Sequence, residues 1–318
     1  MLEILLSPAY LYHSKQNILM RIFKIKYIIA IVIALITTSN AFSQLNPMGS
    51  MYYLNPYLAN PAFAGIEQGW ELNGSYKAQW TAIDGAPSMQ SVSATYGTPN
   101  KKVGLGLSFY NESASVIRRT SFKGSYAYHL PLNNQTSFID FGLSVGIMDE
   151  WIDFAKVRGD LSDQSLYNFN ERKIYFDGDF GITFRNKNLT IQGALPNLKR
   201  LLDKDIRRNV TDRSLYMASI GYKFINNNGS ALASVEPRVA YRGVENYKDI
   251  LDVGINTQFF GNNLLLSGIY HSTNSVTFGA GTTYKNKLSI LCQYTTNTKD
   301  LQTYSNGEFE IALKYNFK

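Results

Sequence analysis

The chain has 318 residues, a formal net charge of +7, 14% aromatic and 17% charged residues, and one cysteine, Cys292. A lone cysteine excludes an intrachain disulfide framework and a CxxC metal knuckle. The basic excess is spread over many turns, with no basic stretch interleaved with stacking aromatics, which leaves nucleic-acid binding without support.

The first element is a leader. From Met20, the basic residues Arg21, Lys24 and Lys26 precede the apolar run Tyr27 to Ile36, and Ala41-Phe42-Ser43 stands before Gln44. That is the three-part pattern of a secretory signal. The run is shorter than the roughly 20 apolar residues a spanning helix needs. The reading is a leader over 1–43, with Met20 as the true start and cleavage after Ser43. Its removal takes Lys15, Arg21, Lys24, Lys26 and Glu3 from totals of 31 basic and 24 acidic residues, leaving 27 and 23, a net of +4. No cysteine follows the signal to carry a lipid anchor. Past residue 43 no apolar run suits a transmembrane helix, so membrane insertion here means strands.

Residues 44–66 form an N-terminal arm with two Asn-Pro steps, Asn55-Pro56 and Asn60-Pro61, ahead of Gly65. Proline disfavours the α conformation in the residue before it, so each step imposes extended or turn geometry. The arm is either an ordered lead-in that packs or a plug or docking segment at a barrel mouth.

From residue 67 onward the chain reads as strands. In Trp70 to Trp80 the residues Trp70, Leu72, Tyr76, Ala78 and Trp80 alternate with Glu71, Asn73, Ser75, Lys77 and Gln79. A period of two is that of a strand, and aromatic ends on an apolar face suit the two bilayer interfaces. Similar segments follow at 89–96, 103–110, 119–130, 137–148, 174–185, 189–195, 213–224, 231–241, 250–260, 263–270, 275–284, 287–294 and 307–317. With 69–80 they predict about fourteen strands, an even number as in single-chain bacterial barrels. Glycine on the non-lipid face, as at Gly279 and Gly281, permits close packing inside a lumen.

The joins carry the argument further. Those at 97–102, 131–136, 186–188, 225–230, 261–263 and 285–286 are short and rich in Asn, Gly, Lys and Pro. The others, 81–88, 111–118, 149–173, 196–212, 242–249 and 295–306, run longer, with 271–274 the exception. Alternation of join length by parity fits an up-and-down outer-membrane barrel with tight periplasmic turns and long external loops. An even strand number then puts both termini in the periplasm. In 196–212, Leu198, Leu201, Leu202 and Ile206 have helical spacing beside Lys199, Arg200, Lys204 and Arg207.

Catalytic and metal signals are weak. Gly142-Leu143-Ser144-Val145-Gly146 matches GxSxG, but the motif needs a strand-to-helix elbow and this copy lies mid-strand. After the leader the histidines are His129 and His271, on different segments. Asp177 and Asp179 share one strand face, as a polar lumen allows without any ligand. The sequon Asn209-Val210-Thr211 has no weight in a bacterial cell. No cofactor is expected.

Tyr53-Leu54-Asn55-Pro56, Asn60-Pro61-Ala62-Phe63-Ala64-Gly65, Gln79-Trp80 and Gly85-Ala86-Pro87, in that order, resemble the PorP/SprF family. The resemblance continues through Lys102 to Ser108, Tyr126-Ala127-Tyr128, Phe141 to Ser144 and Leu195 to Leu198, and closes with Phe309 to Phe317. Two departures are Lys77, where the family often has arginine, and Lys318 after the terminal aromatic. The resemblance implies an outer-membrane β-barrel of the Bacteroidetes type IX secretion system, which exports adhesins and enzymes and is tied to gliding motility in some species. It implies a non-enzymatic role in secretion or surface anchoring of particular clients. The implied partners are other secretion components, a periplasmic lipoprotein or peptidoglycan-linked protein, and the C-terminal domains of clients. Asn55, Pro56, Asn60, Pro61, Gly65, Gln79, Trp80, Gly85, Ala86 and Pro87 become the candidate contact residues. The competing readings are a passive pore or small-molecule transporter, and a lipid enzyme using Ser144 or a loop serine with His129 or His271.

Overall fold

The structure, a computed structural model, describes residues 48–82, 85–132, 136–157, 169–170, 174–199, 214–226, 231–244, 248–296 and 306–317. The leader, its cleavage site and the greater part of loops 149–173, 196–212 and 295–306 lie outside the described residues.

The fourteen strands are β1 (Gly69–Gln79), β2 (Ser88–Gly97), β3 (Val103–Ala114), β4 (Ile117–Pro131), β5 (Phe138–Ile152), β6 (Tyr175–Arg185), β7 (Leu189–Leu195), β8 (Ser214–Tyr222), β9 (Leu232–Val244), β10 (Ile250–Phe259), β11 (Leu264–His271), β12 (Ser275–Tyr284), β13 (Leu288–Thr295) and β14 (Glu308–Asn316). A two-residue piece, Phe224–Ile225, prolongs β8 past Lys223 against the same partner, β9. Each strand pairs antiparallel with its chain neighbours. The circuit closes where β14 meets β1, from Glu71 opposite Asn316 to Gln79 opposite Glu308. Every expected strand is present, in an all-β closed barrel.

The two solvents of a membrane barrel explain which residues form the wall. Phe141, Leu143, Val145 and Ile147 on β5 point outward, and Val145 is 65% exposed. In the alternate positions Asp140 and Ser144 are buried inside. On β14, Phe309, Ile311 and Leu313 face out while Glu308 and Glu310 face in. A closed sheet has no unpaired edge, so every strand can meet lipid with apolar side chains and satisfied backbone. Cys292 lies on this outer face.

Two expectations change. The segment 111–118 is not a long loop: Ala114 pairs with Ile117, leaving Ser115 and Val116 as a tight turn with φ +53° at Ser115. β3, β4 and β5 continue beyond their apolar stretches because ladder hydrogen bonds need no lipid there. Side chains also link the extensions, Arg119 meeting Glu112 at 2.8 Å and Glu150 at 3.1 Å. Join length therefore follows parity only in part, since 115–116 and 272–274 are short joins on the longer-loop side.

Trp80 is the second change. Alternation puts it on the lipid face opposite Gln79, but its φ of +50° breaks the strand and its ring lines the lumen. The outward-facing aromatics of β1 are Trp70 and Tyr76, 54% and 45% exposed.

The arm starts with a short helix α1 (Ser50–Tyr53), followed by 3-10 turns at Pro56–Leu58 and Pro61–Phe63. Each proline opens its turn just after an asparagine, a position where its missing N–H costs nothing and its fixed φ suits the turn. Asn60 caps the second turn by accepting from the Ala62 N–H at 2.9 Å.

Candidate functional site

The arm lies inside the barrel. Met48, Met51, Tyr52, Leu54, Tyr57, Ala62 and Ala64 are buried before the wall begins. Three hydrophobic clusters occur among the described residues, and each joins the arm to the wall. Met51 and Tyr52 pack with Met217, Ala240 and Ile269. Leu54 packs with Leu291 and Ala312, and Tyr57 and Ala64 with Ala127. Inward-facing apolar residues are out of place in a wet lumen, and here they stand where the arm touches them. Burial of a side chain such as Leu54 stabilises the docked arm by about 1.5–3 kcal/mol.

Polar anchors run round the bore. The Gly49 and Ser50 N–H groups donate to the Glu310 carboxylate at 2.6 and 3.0 Å. Tyr52 donates its hydroxyl hydrogen to Asp252, which also pairs with Arg242 at 2.7 Å and His271 at 2.6 Å. Burial pushes the Tyr52 phenol well above its ordinary range, so it stays a donor. Asn55 Nδ2 donates to Ser93 Oγ at 3.1 Å, and Tyr57 and Ser125 hydroxyls meet at 2.7 Å. Asn60 Nδ2 faces Gln192 Oε1 at 3.1 Å and Thr183 Oγ1 at 3.2 Å.

The last anchor is His129, with Asp140 Oδ1 at 2.8 Å from Nδ1 and the Ala64 carbonyl at 3.0 Å from Nε2. Arg185 supports Asp140 from the other side at 2.7 Å.

Glycine makes room for this contact. A Cβ on Gly142 would stand 2.2 Å from the Ala62 nitrogen, and one on Gly104 would stand 1.8 Å from the Ala64 carbonyl oxygen. Both obstacles are backbone, which cannot swing aside.

At the mouth where the longer loops lie, a cavity of about 480 Å³ remains beyond the arm. The arm supplies its floor with Met48, Met51, Tyr57, Asn60 and Pro61, and the wall includes Trp80, Met89, Tyr110, Met148 and Val244. The charged groups around it are matched among themselves: Arg119 with Glu112 and Glu150, and Lys123 with Asp179 at 2.7 Å.

The ten candidate residues divide accordingly. Asn60, Pro61, Gln79, Trp80 and Pro87 come together round this cavity. Asn55 and Pro56 belong to the arm deeper in the bore, where Asn55 is 3% exposed. Gly65, with φ +63°, lies against the Tyr96 and Gly104 backbone. Gly85 and Ala86 sit in the β1–β2 loop, where the Gly85 carbonyl accepts from the Ser115 N–H at 2.9 Å. Gln79 reaches Glu308 at 3.0 Å, and Lys77 pairs with the same carboxylate at 2.7 Å.

No serine–histidine pair forms from the GxSxG match. Ser144 meets Ser125 at 2.7 Å, whereas His129 and His271 serve Asp140 and Asp252. Asp177 and Asp179 face the lumen and accept from the Lys199 and Asn197 N–H groups at 3.0 and 2.9 Å. Leu198 and Lys199 open a helical turn, and the rest of the expected helix lies outside the described residues. Sequence reading missed the methionines of the cavity and the glycines that seat the arm; the available signal was glycine on polar strand faces.

The sequence matches the family described as type IX secretion system membrane protein PorP/SprF over residues 41–315. The chain belongs to the PorP/SprF family. With its closed barrel, this PorP/SprF protein is an outer-membrane component of type IX secretion. No curated protein sequence matches it. Similar solved barrels include the outer membrane protein Omp33 of Acinetobacter baumannii, at 8% identity and TM-score 0.46, covering 80% of this chain and 100% of that one. The Ralstonia pickettii toluene transporter TbuX has 12% identity and TM-score 0.48, over 88% and 96% of the two chains. The monoaromatic hydrocarbon channel CymD has 11% identity and TM-score 0.49, over 88% and 95%.

Proposed function

We propose that this PorP/SprF protein is a plugged, non-enzymatic component that secures secretion or surface anchoring of particular client proteins through protein–protein contacts. The supporting observation is the filled bore: the arm, continuous with β1, is bonded to the wall around its circumference. Such a barrel is built to present surfaces rather than to conduct. In this reading the tight turns and both termini face the periplasm and meet the secretion machinery, including a lipoprotein or peptidoglycan-linked partner. The longer loops, 149–173 and 196–212 among them, face outward and receive the C-terminal domain of an exported adhesin or gliding-type protein. The leader over 1–43 directs the chain to export.

The test is gene deletion followed by proteomics of the medium and cell surface. Loss of one or more type IX clients is expected; unchanged release and attachment of every client refutes the role. The competing reading, a passive pore or small-molecule transporter, draws on the polar inner face. In planar bilayers the intact protein should be nearly silent, and a steady open conductance would favour the pore.

A further inference from the structure

Three properties of the cavity at the long-loop mouth belong together. Its floor is the arm, so a molecule that enters meets Met48, Met51 and Pro61. Its charged neighbours are already paired, and Arg242, which also lines it, holds Asp252 at 2.7 Å. A charged occupant would have to break one of those pairs in a poorly solvated place.

The third property is composition. Of the five methionines after Met20, four line this cavity: Met48, Met51, Met89 and Met148. The fifth, Met217, packs on Met51 just beneath. They come from the arm, β2 and β5, so no local repeat collects them. Unbranched thioether side chains rearrange around partners of differing shape, as broadly accepting binding surfaces require. Trp80 and Tyr110 add flat aromatic faces, and the volume lies within the usual range of about 300–1,000 Å³ for compact ligand sites.

We propose that this cavity is the seat for an uncharged apolar peptide segment of an exported partner. Phe, Leu or Met side chains would enter from the long-loop mouth and stop against the arm. A seat floored by the arm suits a tethered segment, which needs only to dock and withdraw, better than a solute that must pass through. The idea rests on the client-binding role and names where that contact is made.

Trp70 and Trp151 point out of the barrel, 54% and 40% exposed, so Trp70→Phe with Trp151→Phe leaves Trp80 as the sole indole, on the cavity wall. In phosphatidylcholine nanodiscs this protein is titrated with a capped neutral hexapeptide of serine, leucine and brominated phenylalanine. Parallel titrations use a version with aspartate in place of leucine, and toluene. Saturable quenching of Trp80 is expected from the neutral peptide alone. Met89→Asp should weaken it by about tenfold or more, because a carboxylate in this site opposes apolar side chains. Met89→Leu, a volume-conserving exchange, should keep it within about twofold. Heat-modifiable gel mobility verifies that both variants fold.

Absence of saturable quenching, quenching indifferent to Met89→Asp, or saturation by toluene but not by peptide each overturns the proposal. Clients lost on gene deletion with no peptide bound would sink the seat and leave the secretion role standing. Peptide bound at the site with every client secreted in the deletion strain would do the reverse.

Discussion

Asn60 shows how one side chain holds the arm in register. Its amide accepts from the Ala62 N–H and donates toward Thr183 and Gln192, joining a local cap to strands more than a hundred residues away. Asn60→Ala removes the cap and strands the partners, at a cost of about 1–3 kcal/mol to arm docking. The barrel should persist by heat-modifiable mobility while single-channel recordings show intermittent openings. Gly142→Val should act more strongly, since its side chain meets the Ala62 backbone, whereas Gly74→Val, with nothing within 4 Å, should leave the bore closed. Equal conductance in the two glycine variants would mean that the arm does not occupy the lumen. The Asn-Pro steps were legible as turns in the sequence, because proline restricts the residue before it wherever it stands. Their partners were not, since Thr183 and Gln192 become neighbours of Asn60 only once the wall has closed.

At the level of the strand, the sequence was read almost completely, because lipid outside and water inside impose the same alternation on every segment. It failed where a backbone dihedral intervened. Trp80 obeys the period but turns inward at φ +50°, and its aromatic type gave no sign of that. Charge placement therefore has a different expected result from the one alternation alone implies. Val145→Lys, at the lipid face of β5, should cost about 2–4 kcal/mol of insertion, measured by folding into vesicles under urea. Trp80→Asp should insert nearly as well as the parent while altering the cavity. If Trp80→Asp lost as much folded barrel as Val145→Lys, the inward placement of that indole would be wrong. The join 115–116 misled for a related reason: the extended ends of β3 and β4 carry Asn111, Glu112, Arg119 and Thr120, which resemble loop residues yet bond across the ladder.

For the molecule as a whole, deletion of residues 46–65 separates architecture from role. The fourteen-strand wall pairs without the arm, so a heat-modifiable barrel should remain. Its conductance should rise and client secretion should fail. A deletion that stays silent in bilayers, or that still supports secretion, counts against the plugged-component reading. The arm also bears on how the protein is made. It precedes the first strand, yet its opening residues are held by Glu310, on the strand that completes the circle. The socket for those residues is thus finished only at the moment of closure, and the strand that zips the cylinder also fastens its stopper. Loss of β14 would therefore leave a gap in the side and an unlatched interior at one stroke.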